Sequence, residues 1–337
     1  MFGSHLPPDA YAEPLPGLVC LAALIVLTDP MASRKPAAAP VAVSDELIAP
    51  VTPGVDVCYQ TFGSPDDDPL LLVMGLGGPM NWWDTDLCEQ FARAGFFAIR
   101  YDNRDTGRST HLKAKVTRSM LLRAFAGRRV RAPYSIGDLA SDAFGLLDHL
   151  GLDAAHVVGV SMGGMIAQTM AVEQPKRVLS LTSIMSTTGR RSVGWQSPKL
   201  LPALIAPRSP GRAAYVEASA AMWRMIGSPG YPADHEELAT RAGETYDRGF
   251  DARGVLRHMM AVLTQPDRTQ RLRSLRVPTT VIHGLSDRMV HVSGGRATSS
   301  AVVGSELLLI DGMGHDMPSA LYPTFVEAVR RTADRAE

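Results

Sequence analysis

Ala155-His156-Val157-Val158-Gly159-Val160-Ser161-Met162-Gly163-Gly164 is the stretch on which the reading of this chain turns. Residues Ala155–Val160 form a short apolar run rich in valine, the composition of a buried strand. A serine flanked by glycines in the pattern G-x-S-x-G follows, and Ile166–Val172 then has a helical pattern. Strand, sharp turn and helix in that order leave little room around the serine. Side chains at the flanking positions would collide with the crossing elements, which is why glycine is wanted there. The turn lifts the Ser161 hydroxyl above the C-terminal end of the strand, where it meets a helix N-terminus. The five-residue pattern alone is weak; its flanks give it weight.

Working outward, Val55–Phe62 reads as the first strand, followed by Leu70–Met74 and Phe96–Tyr101. Ser135–Leu150 has helical spacing, and Val178–Ile184 is again strand-like. The pattern resumes with Thr279–His283, Glu306–Ile310 and a last helix from about Ser319 to Ala333. Apolar strands alternating with helices require crossover connections, hence a mostly parallel sheet covered on both faces. Between Ser186 and Leu275 there are helical patterns and prolines but no convincing buried strand, which predicts an inserted helical lid. The expected organisation is a core of residues 46–185 and 276–335, a lid of residues 186–275, and an N-terminal segment, 1–45, outside the fold.

That segment contains Pro16–Leu27, an apolar run too short for a comfortable membrane span. Asp9 and Glu13 precede it, where a secretory signal wants positive charge. The preferred reading makes Met31 the start and residues 1–30 an upstream extension or disordered, with an anchor or atypical signal as the alternative. Lys plus Arg and Asp plus Glu are each 34, so no global field points to a nucleic-acid partner. Cys20, Cys58 and Cys88 have neither metal-site nor disulfide-framework spacing. A cytoplasmic location is expected, with membrane association as the alternative.

A serine hydroxyl is a poor nucleophile until a base takes its proton. The strand–elbow–helix arrangement goes with a chain order of serine, acid, histidine. Of nine histidines, His235 and His258 fall in the insertion and His283 falls inside a strand. His291 follows the candidate acid too closely to approach from another loop. His315, in Gly312-Met313-Gly314-His315 directly after a strand, remains as the base. Asp287 follows the strand TTVIHG and would emerge at the same sheet edge as Ser161. Asp311 shares the loop of His315, and Asp267 precedes the strand. The role of Asp287 would be to hold the imidazole tautomer. For a developing oxyanion, Met162 N–H and Leu76 N–H of Met74-Gly75-Leu76-Gly77-Gly78 are the expected donors, with Gly77 in reserve. In Tyr101-Asp102-Asn103-Arg104-Asp105-Thr106-Gly107-Arg108-Ser109 the charged groups are expected to bind one another and the backbone, shaping the loop.

Taken together, MGLGG, YDNRDTGRS, GVSMGG, the GLSD turn and GMGH resemble the α/β-hydrolase superfamily over about residues 50–335. The nearest match is to bacterial carboxylesterases of the aclacinomycin methylesterase-like and mycobacterial LipG-type group. The resemblance implies an α/β-hydrolase fold and cofactor-free hydrolysis of carboxylic esters. It maps nucleophile, acid and base onto Ser161, Asp287 and His315, with no metal. Met74-Gly75 stands where many members have His-Gly, which leaves the backbone donor unaffected. Thioesterase or lysophospholipase, C–C bond hydrolase and cofactor-free perhydrolase share the same three residues. A non-catalytic receptor on this scaffold is the rival from another class.

Trp82 and Trp83, just past the oxyanion loop, and Met222 and Met225 of the insertion are the expected substrate contacts. Flexible apolar side chains on a lid suit a small hydrophobic ester with a bulky acyl or alcohol group. Lys113–Arg131 interleaves basic residues with Met120, Leu121, Leu122 and Phe125. It reads as a solvated helix with a packed apolar face, with peripheral contact to an anionic membrane as the alternative. The oligomeric state is not legible.

Overall fold

A computed structural model describes residues 40–200 and 210–336; the expectations for the apolar run and for Met31 lie outside the described residues. From Val41 onward the chain forms one compact unit. Its centre is a sheet of eight strands in the order β1-β2-β4-β3-β5-β6-β7-β8. These are β1 (Leu47–Thr52), β2 (Val55–Phe62), β3 (Asp68–Val73), β4 (Phe96–Tyr101), β5 (Ala155–Val160), β6 (Val178–Ile184), β7 (Thr279–Gly284) and β8 (Glu306–Ile310). β1–β2 and β2–β4 pair antiparallel, and every other pair is parallel.

Successive side chains of a strand point to opposite faces, and β3 shows what that builds. Leu71 and Val73 enter one core with Leu139, Leu146, Ile166 and Met170. Leu70 and Leu72 enter the other with Leu87, Phe91, Phe325 and Val329. The first face is covered by α3 (Ile136–His149) and α4 (Met162–Glu173), the second by α1 (Thr85–Arg93) and α10 (Tyr322–Ala333). A capping box starts α3: Ser135 Oγ accepts from Asp138 N–H, and the Asp138 carboxylate accepts from Ser135 N–H.

Two element readings need correction. Val55–Phe62 is the second strand, because Leu47–Thr52 precedes it across the Pro53-Gly54 turn, where Gly54 has φ 78°. This edge strand is mostly exposed and Pro50 interrupts its apolar residues, a position that demotes a run as a strand candidate. The helix after the elbow begins at Met162 rather than Ile166, because Gly163 and Gly164 obscure its first turn.

Between β6 and β7 no strand occurs among the described residues. That stretch holds α5 (Arg212–Ile226), α6 (His235–Asp247), α7 (Ala252–Thr264) and the short α8 (Thr269–Leu272). Two further helices lie in the core: α2 (Arg118–Phe125) after β4, and α9 (Ser293–Ala301) after β7. No helix among the described residues is long and apolar enough to cross a membrane.

Candidate active site

The loops leaving β3, β5, β7 and β8 lie at one edge of the sheet and carry the candidate groups. Ser161 sits between β5 and α4 with φ 56° and ψ −115°. A non-glycine residue in that region costs on the order of 1–3 kcal/mol and persists only where its surroundings enforce it. The enforcement is visible in the glycines. A Cβ on Gly159 would lie 2.2 Å from Gly163 O, and one on Gly163 would lie 2.0 Å from Val73 O. The serine backbone is also pinned: its N–H donates to Ile184 O (2.9 Å), and Ser186 Oγ–H donates to its carbonyl (2.7 Å).

His315 Nε2 lies 3.0 Å from Ser161 Oγ, and His315 Nδ1 lies 2.8 Å from Asp287 Oδ2. An ionised carboxylate only accepts, so Nδ1 carries the proton and Nε2 presents a lone pair to the serine hydroxyl. Asp287 Oδ1 accepts from Met289 N–H (2.8 Å) and Val290 N–H (2.9 Å). Burial would raise the Asp287 carboxyl, but the adjoining His315, helped by His283, holds it well below the ordinary carboxylate range. His283 is fully buried; its Nε2 lies 2.8 Å from Val290 O and 3.5 Å from Asp287 Oδ2. The strand position of His283 gave no sign of this contact with the acid.

The oxyanion loop packs against the serine: a Cβ on Gly75 would lie 3.3 Å from Ser161 Cβ. Gly78 N–H donates to Gly75 O and Gly77 N–H to His258 Nδ1 (3.1 Å), whereas Leu76 N–H has no acceptor among the described residues. Met162 is the first residue of α4, where the helix supplies no acceptor for its N–H. Gly77, the reserve donor, is thus already engaged. The histidine that engages it was set aside in the sequence because it lies in the insertion. His258 is fully buried on α7, its Nε2–H donates to Arg104 O (2.8 Å), and burial lowers its imidazole to about 4. It therefore stays neutral and works as an acceptor toward the oxyanion loop.

The loop after β4 also departs from expectation. Its charged side chains do not pair with one another but with groups from elsewhere, while backbone donors complete them. Arg257 of α7 donates twice to Asp105 (2.7 Å each), which also accepts from Tyr134 O–H and Leu112 N–H. Arg248, at the end of α6, donates to Asp102 (2.9 Å) and Glu46 (2.6 Å), and Arg104 pairs with Asp142 of α3. Asp105, His111 and Asp251 bring one possible ligand atom each within 4.8 Å of one another, but Arg257 already donates to both carboxylates. They form an ion-pair network rather than a metal centre.

The expected substrate contacts separate. Trp82 stacks edge-on against Trp223 of α5 (5.0 Å between centroids) and donates from Nε1 to Thr245 of α6 (2.8 Å), so it faces the insertion. Trp83 does not: it is fully buried in the core with Leu87 and Phe91, which removes it from the candidate contacts. Met222 and Met225 are half-buried on α5. The end of that helix reaches the His315 loop, where His315 N–H donates to Ile226 O (2.7 Å).

A family model described as alpha/beta hydrolase fold matches residues 68–222. The chain is 29% identical to a rhodomycin D methylesterase of Streptomyces sp. (strain C5), over 82% of this chain and 94% of the relative. It is 28% identical to a rhodomycin D methylesterase of Streptomyces peucetius, with the same two coverages, 82% and 94%. Among solved structures, the esterase RhEst1 from Rhodococcus sp. ECU1013 superposes with a TM-score of 0.68 at 20% identity, covering 87% of this chain and 100% of that one. Sheet order, elbow and relatives together define the class: the chain has the α/β-hydrolase fold. Within that fold it is similar to an esterase-like group.

Proposed function

We propose that the chain hydrolyses carboxylic esters through an acyl-enzyme formed on Ser161. The observation that carries this reading is the hydrogen-bonded line from Ser161 Oγ through the His315 imidazole to the Asp287 carboxylate, 3.0 and 2.8 Å. His315 Nε2 takes the hydroxyl proton as Ser161 attacks the ester carbonyl. Asp287 holds the imidazole in the required tautomer and stabilises the imidazolium. The tetrahedral oxyanion is received by Leu76 N–H and Met162 N–H; losing one such donor typically costs about 3–4 kcal/mol of barrier. His315 then protonates the departing alcohol, and water, deprotonated by the same imidazole, releases the acid.

The relatives' names point to a methyl ester as the first bond to test. The apolar side chains where the insertion meets this edge, Trp82 of the core with Trp223 and the half-buried Met222 and Met225 of the insertion, support a fairly hydrophobic substrate. Ser161→Ala is expected to lower turnover of p-nitrophenyl esters by about 10⁴-fold or more, with an unchanged circular dichroism spectrum. Turnover at the parental rate by the folded variant would refute the assignment. A panel varying acyl length, alcohol bulk and ester against thioester then sets the substrate class.

A further inference from the structure

The segment from Lys113 to Arg131 packs only part of the apolar face expected of it. Its helix is only α2, and it packs on α7 through the buried Ala124 with Met120 and Leu121 half-buried. Leu122 and Phe125, three residues apart and so neighbours on the helix surface, point outward with 71% and 67% of their surfaces exposed. Arg191 fastens the far end by donating to the carbonyls of Ala124 and Phe125.

Around this apolar pair stand Lys113, Lys115, Arg118, Arg123, Arg128, Arg129 and Arg131, all exposed, with no acidic residue between positions 113 and 131. None of the seven has an ion-pair partner among the described residues. The chain as a whole is neutral, with 34 cationic and 34 anionic side chains, so this is a local concentration of one sign. It sits beside the helix that carries His258.

We propose that α2 and its basic flanks dock the enzyme on an anionic lipid surface. The combination argues for lipid over other anionic partners. Cations spaced along the segment attract a negatively charged leaflet, while Leu122 and Phe125 have a use at the acyl boundary that a phosphate backbone does not offer them. Burying two large apolar side chains in the interface and neutralising several cations both strengthen the contact, and the second makes it salt-sensitive.

The test is sedimentation of the full-length chain with phosphatidylcholine vesicles and with equimolar phosphatidylcholine/phosphatidylglycerol vesicles. The expected result is binding to the anionic vesicles alone, weakening as salt rises. Leu122→Ser/Phe125→Ser should lower the apparent affinity by roughly tenfold or more, and Arg123→Ala/Arg128→Ala/Arg129→Ala should flatten the salt dependence. Both variants change exposed side chains, and unchanged p-nitrophenyl ester turnover would verify their fold. Absence of binding to anionic vesicles at low salt would overturn the proposal. So would anionic binding undiminished in Leu122→Ser/Phe125→Ser, which would place the contact elsewhere in the chain.

Discussion

The sheet core and the helical insertion are held by different balances of apolar packing and buried charge. In the core, two apolar layers close on the two faces of β3, β5 and their neighbours. The insertion adds buried charge to the apolar contacts that Ala261 and Leu272 make with the first core: Arg257 reaches Asp105 and Arg248 reaches Asp102, across 152 and 146 residues of sequence. The division fits the tasks. A strained elbow needs surroundings that do not give, which close packing supplies. The insertion has to present specific donors and acceptors to the loops beneath it, which only polar groups can do.

Breaking one buried clamp should show the difference most strongly. The side chains of Arg257 and Asp105 are 1% and 0% exposed. Arg257→Ala leaves an uncompensated buried carboxylate, and about 3–5 kcal/mol of stability should be lost in urea unfolding. The exposed Arg212–Asp247 pair, whose side chains keep 55% and 56% of their surface in water, is the control. Arg212→Ala should give no measurable shift of the midpoint. Equal effects of the two substitutions would mean that burial does not decide which ion pair matters.

A smaller and more selective effect is expected where insertion and oxyanion loop meet. His258→Gln removes the acceptor facing Gly77 N–H while keeping a donor for Arg104 O; His258→Asn does the reverse. Steady-state kinetics on a p-nitrophenyl ester should show kcat reduced roughly 10- to 100-fold for Gln. The loss should be much smaller for Asn, with KM little altered in both. The same loss in both variants would reduce His258 to a packing residue.

The same division explains what could be read from sequence. β4, β5 and β6 coincide with their apolar runs because strands buried on both faces announce themselves in composition, whereas β8, a partly exposed edge strand, was legible from its unbroken run Leu307–Ile310. β1 was not, since an exposed edge strand with a proline has no such signature. Ser161, Asp287 and His315 could be nominated because each follows a strand whose end lies at one rim. Their hydrogen-bonded line is a matter of three-dimensional spacing. His258 was missed because nothing local distinguishes a histidine that reaches across to another loop from one that fills a helix. Trp83 was over-read for the opposite reason: adjacency to Trp82 in sequence says nothing about which of the two points inward. Leu122 and Phe125 stayed uncovered while Met120 and Leu121 packed, because amphipathic spacing identifies a stripe without saying what covers it.

Covalent capture tests the central claim most directly. The chain is treated with a fluorophosphonate, which reacts only with an activated serine, and the modified peptide is mapped by mass spectrometry. Stoichiometric labelling of Ser161, abolished in His315→Ala, is the predicted result. Labelling of a different residue, or none at Ser161 in the folded protein, would contradict the account.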